Sequence, residues 1–347
     1  MDLDAEARRR GARRRILVTR LRYLGDVILS TPAVEAIKAR YPDWEIYYMA
    51  EQPYAAILEG NPHLAGVIDA GRGARNAIMT IRMIRSRGFL AALDLFYNPR
   101  SAMLLYLSGI PVRAGGTRRL RRRLYTHRFA IPAGTRSAVM HHIEAARIFD
   151  VEPKGSLPRI YLSTEERSAG RALLERTRAG GGGERKVLAM HPGGTWPAKR
   201  WASDSFAKLA VLAREAFGAE TILIAGPGEE GIAARAQAAS GGAARVLPLQ
   251  PLRSVAAVLA SCDAVVANDG GILHMAVALG RPTVGVFGPT EPDIWFPYEG
   301  RGPFALVTRG IECAPCHRHE CEEMKCLDGI GPGEVLGRLE EVLAWKR

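Results

Sequence analysis

The sequence predicts an α/β protein with two doubly wound, Rossmann-like parallel sheets, and three observations carry that prediction. Short apolar runs alternate with segments of helical period along both halves. Several of the runs end in glycine-bearing polar turns, the pattern of strands that deliver loops to the carboxyl edge of an open sheet. The turn-rich segment Pro153-Lys154-Gly155-Ser156-Leu157-Pro158 divides a chain of 347 residues, long for one core, into two lengths that each suit a domain. The expected organisation is residues 1–155 as a first domain, 156–330 as a second, and 331–347 as a terminal helix that can return to the first domain.

Residues 1–14 are strongly basic and read as a frayed arm. Ile16-Leu17-Val18 then forms a strand, Thr19 to Gly25 a loop, and Val27 to Arg40 a helix in which Pro32 requires an early position or a kink. Strands at Glu45 to Met49, Gly66 to Ile68, Leu90 to Leu95 and Val112 to Ala114 alternate with helices at Tyr54 to Leu58, Ala74 to Arg87 and Arg100 to Leu107. His141 to Phe149 is a helix leading to the boundary. Beyond it Thr164 to Arg178 is helical, Gly180 to Gly183 is a glycine run, and Lys186 to Met190 opens the second sheet. Helices at Ser203 to Phe217, Gly231 to Ala239 and Leu252 to Ala260 separate strands at Thr221 to Ala225, Ala244 to Leu247 and Ala264 to Ala267. Ile272 to Leu279 is the next helix, Thr283 to Phe287 the next strand, and Gly333 to Trp345 an amphipathic helix with Val335, Leu336, Leu339, Val342 and Leu343 on one side.

Composition narrows the class. Hydrophobic content of 47% supports real cores, and no run approaches the roughly 20 apolar residues that span a bilayer. The charged N-terminus lacks the apolar segment of a secretory signal, which points to the cytoplasm. Net charge is +12, with clusters at Arg8, Arg9, Arg10, Arg13, Arg14, Arg15 and at Arg118, Arg119, Arg121, Arg122, Arg123, Arg128. Such clusters suit nucleic acid, an anionic lipid surface or a phosphorylated acceptor, or form a solvated basic face.

Four loops following strands bring polar groups to the edge where open sheets bind ligands. In Arg20 to Asp26, Gly25 permits a tight approach and Asp26 stands at a helix start, where a carboxylate serves either chemistry or a helix cap. In His191 to Trp201 (HPGGTWPAKRW), backbone donors, Thr195 and two cations suit phosphates. Gly226-Pro227-Gly228-Glu229-Glu230 offers carboxylates for sugar hydroxyls or for the following helix terminus. Val265 to Thr290 (VVANDGGILHMAVALGRPTVGVFGPT) runs strand, glycine turn, helix, strand and second turn, so Gly270 and Gly271 lie where a helix N-terminus presents unpaired N–H groups to an anion. His274 falls on that helix's first turn. Neither the Walker A spacing nor G-x-G-x-x-G occurs here.

LGDVILSTPAVEAIK, HPGGTWPAKRW, AGPGEE and NDGGILHMAVALGRPTVGVFGPT together resemble the motifs of family 9 glycosyltransferases, the heptosyltransferases of lipopolysaccharide core assembly. The motifs match in order across most of residues 15–345. The resemblance implies a GT-B fold, two such domains facing a central cleft, and inverting transfer of heptose from ADP-heptose to the inner core. By matched position it implies Asp26 as the base, and Lys199 with Thr195 and the N–H groups of Gly270, Gly271 and Ile272 as the diphosphate site. Gly25 and Gly194 belong to the same matched loops, and His274 would stand nearby. It further implies Asp269 on heptose hydroxyls and Glu229 on the ribose, with Glu230 as the competing match. Arg22 and Tyr23 depart from the small hydroxyl residues of some members. Arg118, Arg119, Arg121, Arg122 and Arg123 are then expected to meet anionic groups of a lipid-linked acceptor, with the enzyme a monomer peripheral to the cytoplasmic face of the inner membrane.

Cys313, Cys316, Cys321 and Cys326 follow C-x2-C-x4-C-x4-C spacing, which resembles a zinc or iron-sulfur site. The expected transfer needs no cofactor, and no D-x-D-like metal site is evident. Two other readings remain open: a nucleotide-sugar epimerase or hydrolase of the same fold, and a basic nucleic-acid-binding protein with a cysteine-cluster module. Aromatic content of 7% without an interleaved stacking platform argues against nucleic acid.

Overall fold

The computed structural model describes all residues except 118, 153, 154, 156, 179–184 and 346–347, and does not describe the side chains of 119–121. The chain forms two compact units, Met1–Tyr161 and Leu162–Arg347.

The first unit holds strands β1 (Arg15–Thr19), β2 (Glu45–Ala50), β3 (Gly66–Asp69), β4 (Ala91–Asp94), β5 (Val112–Gly116) and β6 (His127–Phe129) in the order β3-β2-β1-β4-β5-β6. The second holds β7 (Val187–His191), β8 (Glu220–Leu223), β9 (Ala244–Val246), β10 (Ala264–Asn268), β11 (Thr283–Phe287) and β12 (Phe304–Thr308) in the order β12-β11-β10-β7-β8-β9. Every pairing is parallel, and counted within its own unit each sheet runs 3-2-1-4-5-6. Each is a Rossmann-type sheet whose strand order reverses beside its first strand, between β1 and β4 or between β7 and β10. The central strands are buried from end to end, as strands covered on both faces must be. The short edge strands β6 and β12 extend the sheets beyond the sequence reading; β6 is three residues long and lies in the arginine-rich stretch.

Two expectations need correction. The basic arm is not frayed: Leu3–Arg10 is a helix, capped by Asp2 accepting from the Asp4 and Ala5 N–H groups and closed by Gly11 at φ 58°. Leu3 and Ala7 are buried, the Leu3 N–H donates to the Tyr41 hydroxyl, and Trp44 Nε1–H donates to Asp4 at 2.9 Å. Ion pairs with Glu6 and Glu45 take up Arg9, Arg10 and Arg15, so local carboxylates absorb the charge that suggested disorder. The helix expected from Val27 to Arg40 is two helices, Leu24–Leu29 and Thr31–Arg40, because Pro32 occupies the first turn of the second and cannot donate backward. The terminal helix, Pro332–Leu343, packs within the second unit. Val335, Leu339 and Val342 join the core formed by Leu188, Val266, Val284 and Phe206, since burying that stripe on its own sheet removes it from water.

Candidate active site

In the first unit, parallel pairing sets Thr19 beside Asp94, so the loops leaving β1 and β4 emerge together at the reversal of strand order. The Arg20 guanidinium, from the first loop, donates to Leu95 O at 3.1 Å and lies 4.7 Å over the Phe96 ring, both on the second. It also forms an ion pair with Asp26 Oδ1, while Asp26 Oδ2 accepts the Tyr23 N–H at 3.3 Å. Asp26 lies in the first turn of Leu24–Leu29 with Gly25 directly before it, and its carboxylate is partly open to solvent. The sequence reading left capping and chemistry as alternatives; the geometry supplies the Tyr23 capping contact and also a fixed, accessible oxygen pair. Burial pushes His142 well below the ordinary histidine value, and nearby Arg20 and His141 add to that, so this imidazole stays neutral behind the loop.

Asp94, at the end of β4, is fully buried. Burial raises its pKa against the pull of the Tyr125 hydroxyl, Ser101 and the N–H groups of Tyr97 and Phe96. The Tyr125 hydroxyl donates at 2.7 Å, tying the arginine-rich segment to this edge of the sheet. Within that segment Arg122 and Arg123 are exposed on a short turn, Arg119–Leu124. Arg118 and the side chains of Arg119 and Arg121 lie outside the described residues.

In the second unit, Ala267 pairs with His191, so β7 and β10 likewise end side by side. Asn268 clamps the two loops: its Nδ2 donates to Pro192 O and Gly193 O at 3.1 and 2.9 Å, and its Oδ1 accepts the Trp201 N–H. Lys199, at the end of the turn Pro197–Lys199, donates from Nζ to Asp269 Oδ2 at 2.6 Å, and the Thr290 hydroxyl donates to the same oxygen. Lys199 Nζ also lies 4.3 Å over the Trp196 ring. The opposite support is His319, stacked on Trp196 at 4.0 Å and 24°, whose carbonyl accepts the Ala198 N–H. Lys199 is thus fixed by an acid and an indole, with two of its three N–H donors unspent on Asp269.

Gly270 precedes the helix Gly271–Ala278, whose first N–H groups have no partner within the helix. Asp269 and this terminus are consecutive in the chain, so Lys199, through its bond to Asp269, is held next to a ready anion site. Gly194 and Thr195 lie on the facing loop, Thr195 exposed.

Two residues take positions that the sequence does not reveal. Glu229 braces the loops: Oε1 accepts the Gly194 N–H at 2.8 Å, and Oε2 accepts His191 Nε2 at 2.9 Å and the Gly226 N–H at 2.8 Å. A Cβ on Gly193 would lie 2.3 Å from Glu229 Oε2, so that residue must be glycine for the brace to close. Burial raises the Glu229 pKa, but the His191 hydrogen bond and charge, with the Gly226 and Gly194 N–H groups, more than reverse this and hold it at about 2. His274 is buried, with Nδ1 3.2 Å from the Tyr298 hydroxyl. In so apolar a helix its ring turns inward to a polar partner.

Cys262 is buried; burial pushes its thiol up to about 12, with neighbouring Asp263 adding. Burial likewise raises Cys326, and Cys313, Cys316 and Cys321 add to that, so the four thiols of the spaced motif share one neighbourhood. Among the described residues no three His, Cys, Asp or Glu side chains are gathered as ligands of one metal ion. The segment is tied down instead by the N–H groups of Cys316 and His317, which both donate to Pro289 O.

Residues 78–327 match the model of glycosyltransferase family 9 (heptosyltransferase). The chain belongs to that family. Lipopolysaccharide heptosyltransferase 1 of Pseudomonas aeruginosa is 29% identical over 364 residues, covering 95% of this chain and 98% of that one. The structure of Escherichia coli ADP-heptose lipopolysaccharide heptosyltransferase II superposes with a TM-score of 0.80 at 25% identity, over 95% of this chain and 98% of that one. Escherichia coli heptosyltransferase WaaC with ADP-2-deoxy-2-fluoro heptose shares the fold, with a TM-score of 0.72 at 21% identity over 94% of this chain and 99% of that one. This family 9 enzyme is a glycosyltransferase with a GT-B fold, and the nucleic-acid-binding and epimerase readings give way. Arg20, Trp196, Asn268, Thr290 and His319 are the site residues that sequence reasoning left without roles; their positions depend on contacts between loops far apart in the chain.

Proposed function

We propose that this enzyme transfers heptose from ADP-heptose to a hydroxyl of the lipopolysaccharide inner core, with inversion at the anomeric carbon. The Asp26 carboxylate accepts the acceptor hydroxyl's proton as that oxygen bonds to the anomeric carbon; the bond from that carbon to the diphosphate oxygen breaks, and ADP departs. Lys199, Thr195 and the N–H groups of Gly270, Gly271 and Ile272 draw the charge that accumulates on the diphosphate, and Asp269 receives heptose hydroxyls on the oxygen not engaged by Lys199 and Thr290. Arg20 orients Asp26 toward the acceptor. The observation that carries this reading is the Lys199 ammonium fixed 2.6 Å from Asp269, immediately before an uncapped helix N-terminus.

Support for the donor comes from the relatives named for ADP-heptose and from the chemistry of the site, which offers fixed positive charge to a diphosphate. Because a lysine and a helix terminus supply that charge, transfer proceeds without a divalent metal and without the cysteine motif acting as a cofactor site. The acceptor is lipid-linked, so the enzyme works peripherally at the cytoplasmic face of the inner membrane; we take it to act as a monomer. The test is acceptor-dependent release of ADP from ADP-heptose in the presence of EDTA. Turnover that persists supports the reading; turnover abolished by EDTA and restored by magnesium, or ADP release indifferent to acceptor, overturns it.

A further inference from the structure

The first unit carries a face that its own fold leaves uncovered. Ile78 (53% exposed), Met79 (54%), Met103 (45%), Tyr106 (48%) and Leu107 (43%) are five of the nine exposed large hydrophobic side chains among the described residues. They lie on two neighbouring helices, Ala74–Arg87 and Pro99–Leu107, joined where the Arg85 guanidinium donates to Leu107 O at 2.7 Å. Helical spacing sets Arg75, Ile78, Met79, Arg82 and Arg85 on the same side, and all are exposed. On the second helix Met103, Tyr106 and Leu107 are exposed together, while Ala102, Leu104 and Leu105 are buried.

The charged side chains that these two helices carry have one sign. The sequences of both helices, ARNAIMTIRMIRSR and PRSAMLLYL, contain no acidic residue. The turn Arg119–Leu124, RLRRRL, packs beside the second helix and adds exposed Arg122 and Arg123. Arg113 lies 5.4 Å over the Tyr106 ring, bringing a further cation to the apolar cluster. A solvated helix face ordinarily intersperses both signs, and a protein–protein surface of this chemistry would require an acidic partner with an apolar centre. Exposed apolar side chains flanked by the exposed arginines of these elements match the bilayer interface, where the hydrocarbon boundary takes the former and lipid phosphates the latter.

We propose that the face formed by Ala74–Arg87 and Pro99–Leu107 docks the enzyme on an anionic phospholipid bilayer, with Ile78, Met79, Met103, Tyr106 and Leu107 entering the interface. This deepens the proposed function, since it names the surface by which an enzyme with a lipid-linked acceptor reaches it. The inference also stands on its own observations and is tested without donor or acceptor.

The experiment is co-sedimentation of the full chain with phosphatidylcholine vesicles, with and without phosphatidylglycerol, at low and physiological salt. Wild type is expected to pellet with the anionic vesicles and to remain in solution with the neutral ones. Ile78→Glu/Met79→Glu should weaken partitioning by about tenfold or more, and Arg75→Glu/Arg82→Glu should remove the preference for anionic lipid. All four positions are exposed, so melting temperature and the thermal shift on adding ADP should match wild type in both variants. Equal pelleting with neutral vesicles, no pelleting with either, or anionic binding unchanged in both variants would overturn the proposal. Failure of heptosyl transfer would not touch it.

Discussion

The two halves of this enzyme are built on the same sheet and carry opposite charge at the same place. In each, the loop after the first strand and the loop after the fourth meet where strand order reverses. In the first half that place holds an acid, Asp26, secured by a cation, Arg20; in the second it holds a cation, Lys199, secured by an acid, Asp269. The strands supply position only. A few loop residues decide whether the position presents a carboxylate or an ammonium, so a shared fold does not give the halves the same chemical groups.

The largest break in this comparison should come from the acid. Asp26→Asn keeps the Tyr23 contact within reach of a side-chain oxygen but removes the proton acceptor, and transfer should fall by about 10²–10⁴-fold, measured as acceptor-dependent ADP release. Lys199→Ala should lower the same rate by about 10²–10³-fold, because the departing diphosphate loses its fixed cation. It also leaves Asp269 without its ion-pair partner, so Lys199→Arg, which retains the charge, should recover part of the loss.

Glu229 sharpens the comparison at the level of stability. Its folded carboxyl is held at about 2, below the ordinary value of 4.5, so it stabilises the fold fully above that ordinary value; the contribution is lost as pH falls through about 2. Glu229→Gln should therefore cost about 1–3 kcal/mol in urea unfolding at neutral pH, and the difference from wild type should shrink as the solution is acidified below 4.5. A difference that grew on acidification would contradict the assignment. The smallest effect is expected from His319→Ala, which removes the ring behind Trp196 and lets Lys199 wander: a loss of transfer of about threefold to tenfold, with a phenylalanine at the same position recovering most of it.

Much of this architecture was legible in the sequence because buried parallel strands such as Val265-Val266-Ala267 and glycine turns such as Asn268-Asp269-Gly270-Gly271 leave local signatures. The loops that carry Asp26 and Lys199 were legible for the same reason, each directly after a strand. Local pattern failed where distant partners decide the outcome. The arginine-rich start folds because Tyr41, Trp44 and Ile148 receive it, none of them near in sequence. His274 lies on the expected helical turn, yet its ring answers to Tyr298, and Glu229 accepts from His191 and Gly194, at the end of β7 and on the loop after it. The exposed side chains of Ala74–Arg87 gave no warning either, since an amphipathic pattern does not say which neighbours will leave part of it bare.

The most direct test of the central claim is ADP titration calorimetry on Asp26→Asn and Lys199→Ala, set beside their transfer rates. If the acid and the cation serve separate tasks, Asp26→Asn will bind ADP as wild type does while losing transfer, and Lys199→Ala will lose ADP affinity as well as rate. Equal loss of ADP affinity in both variants, or undiminished affinity in Lys199→Ala, would contradict it.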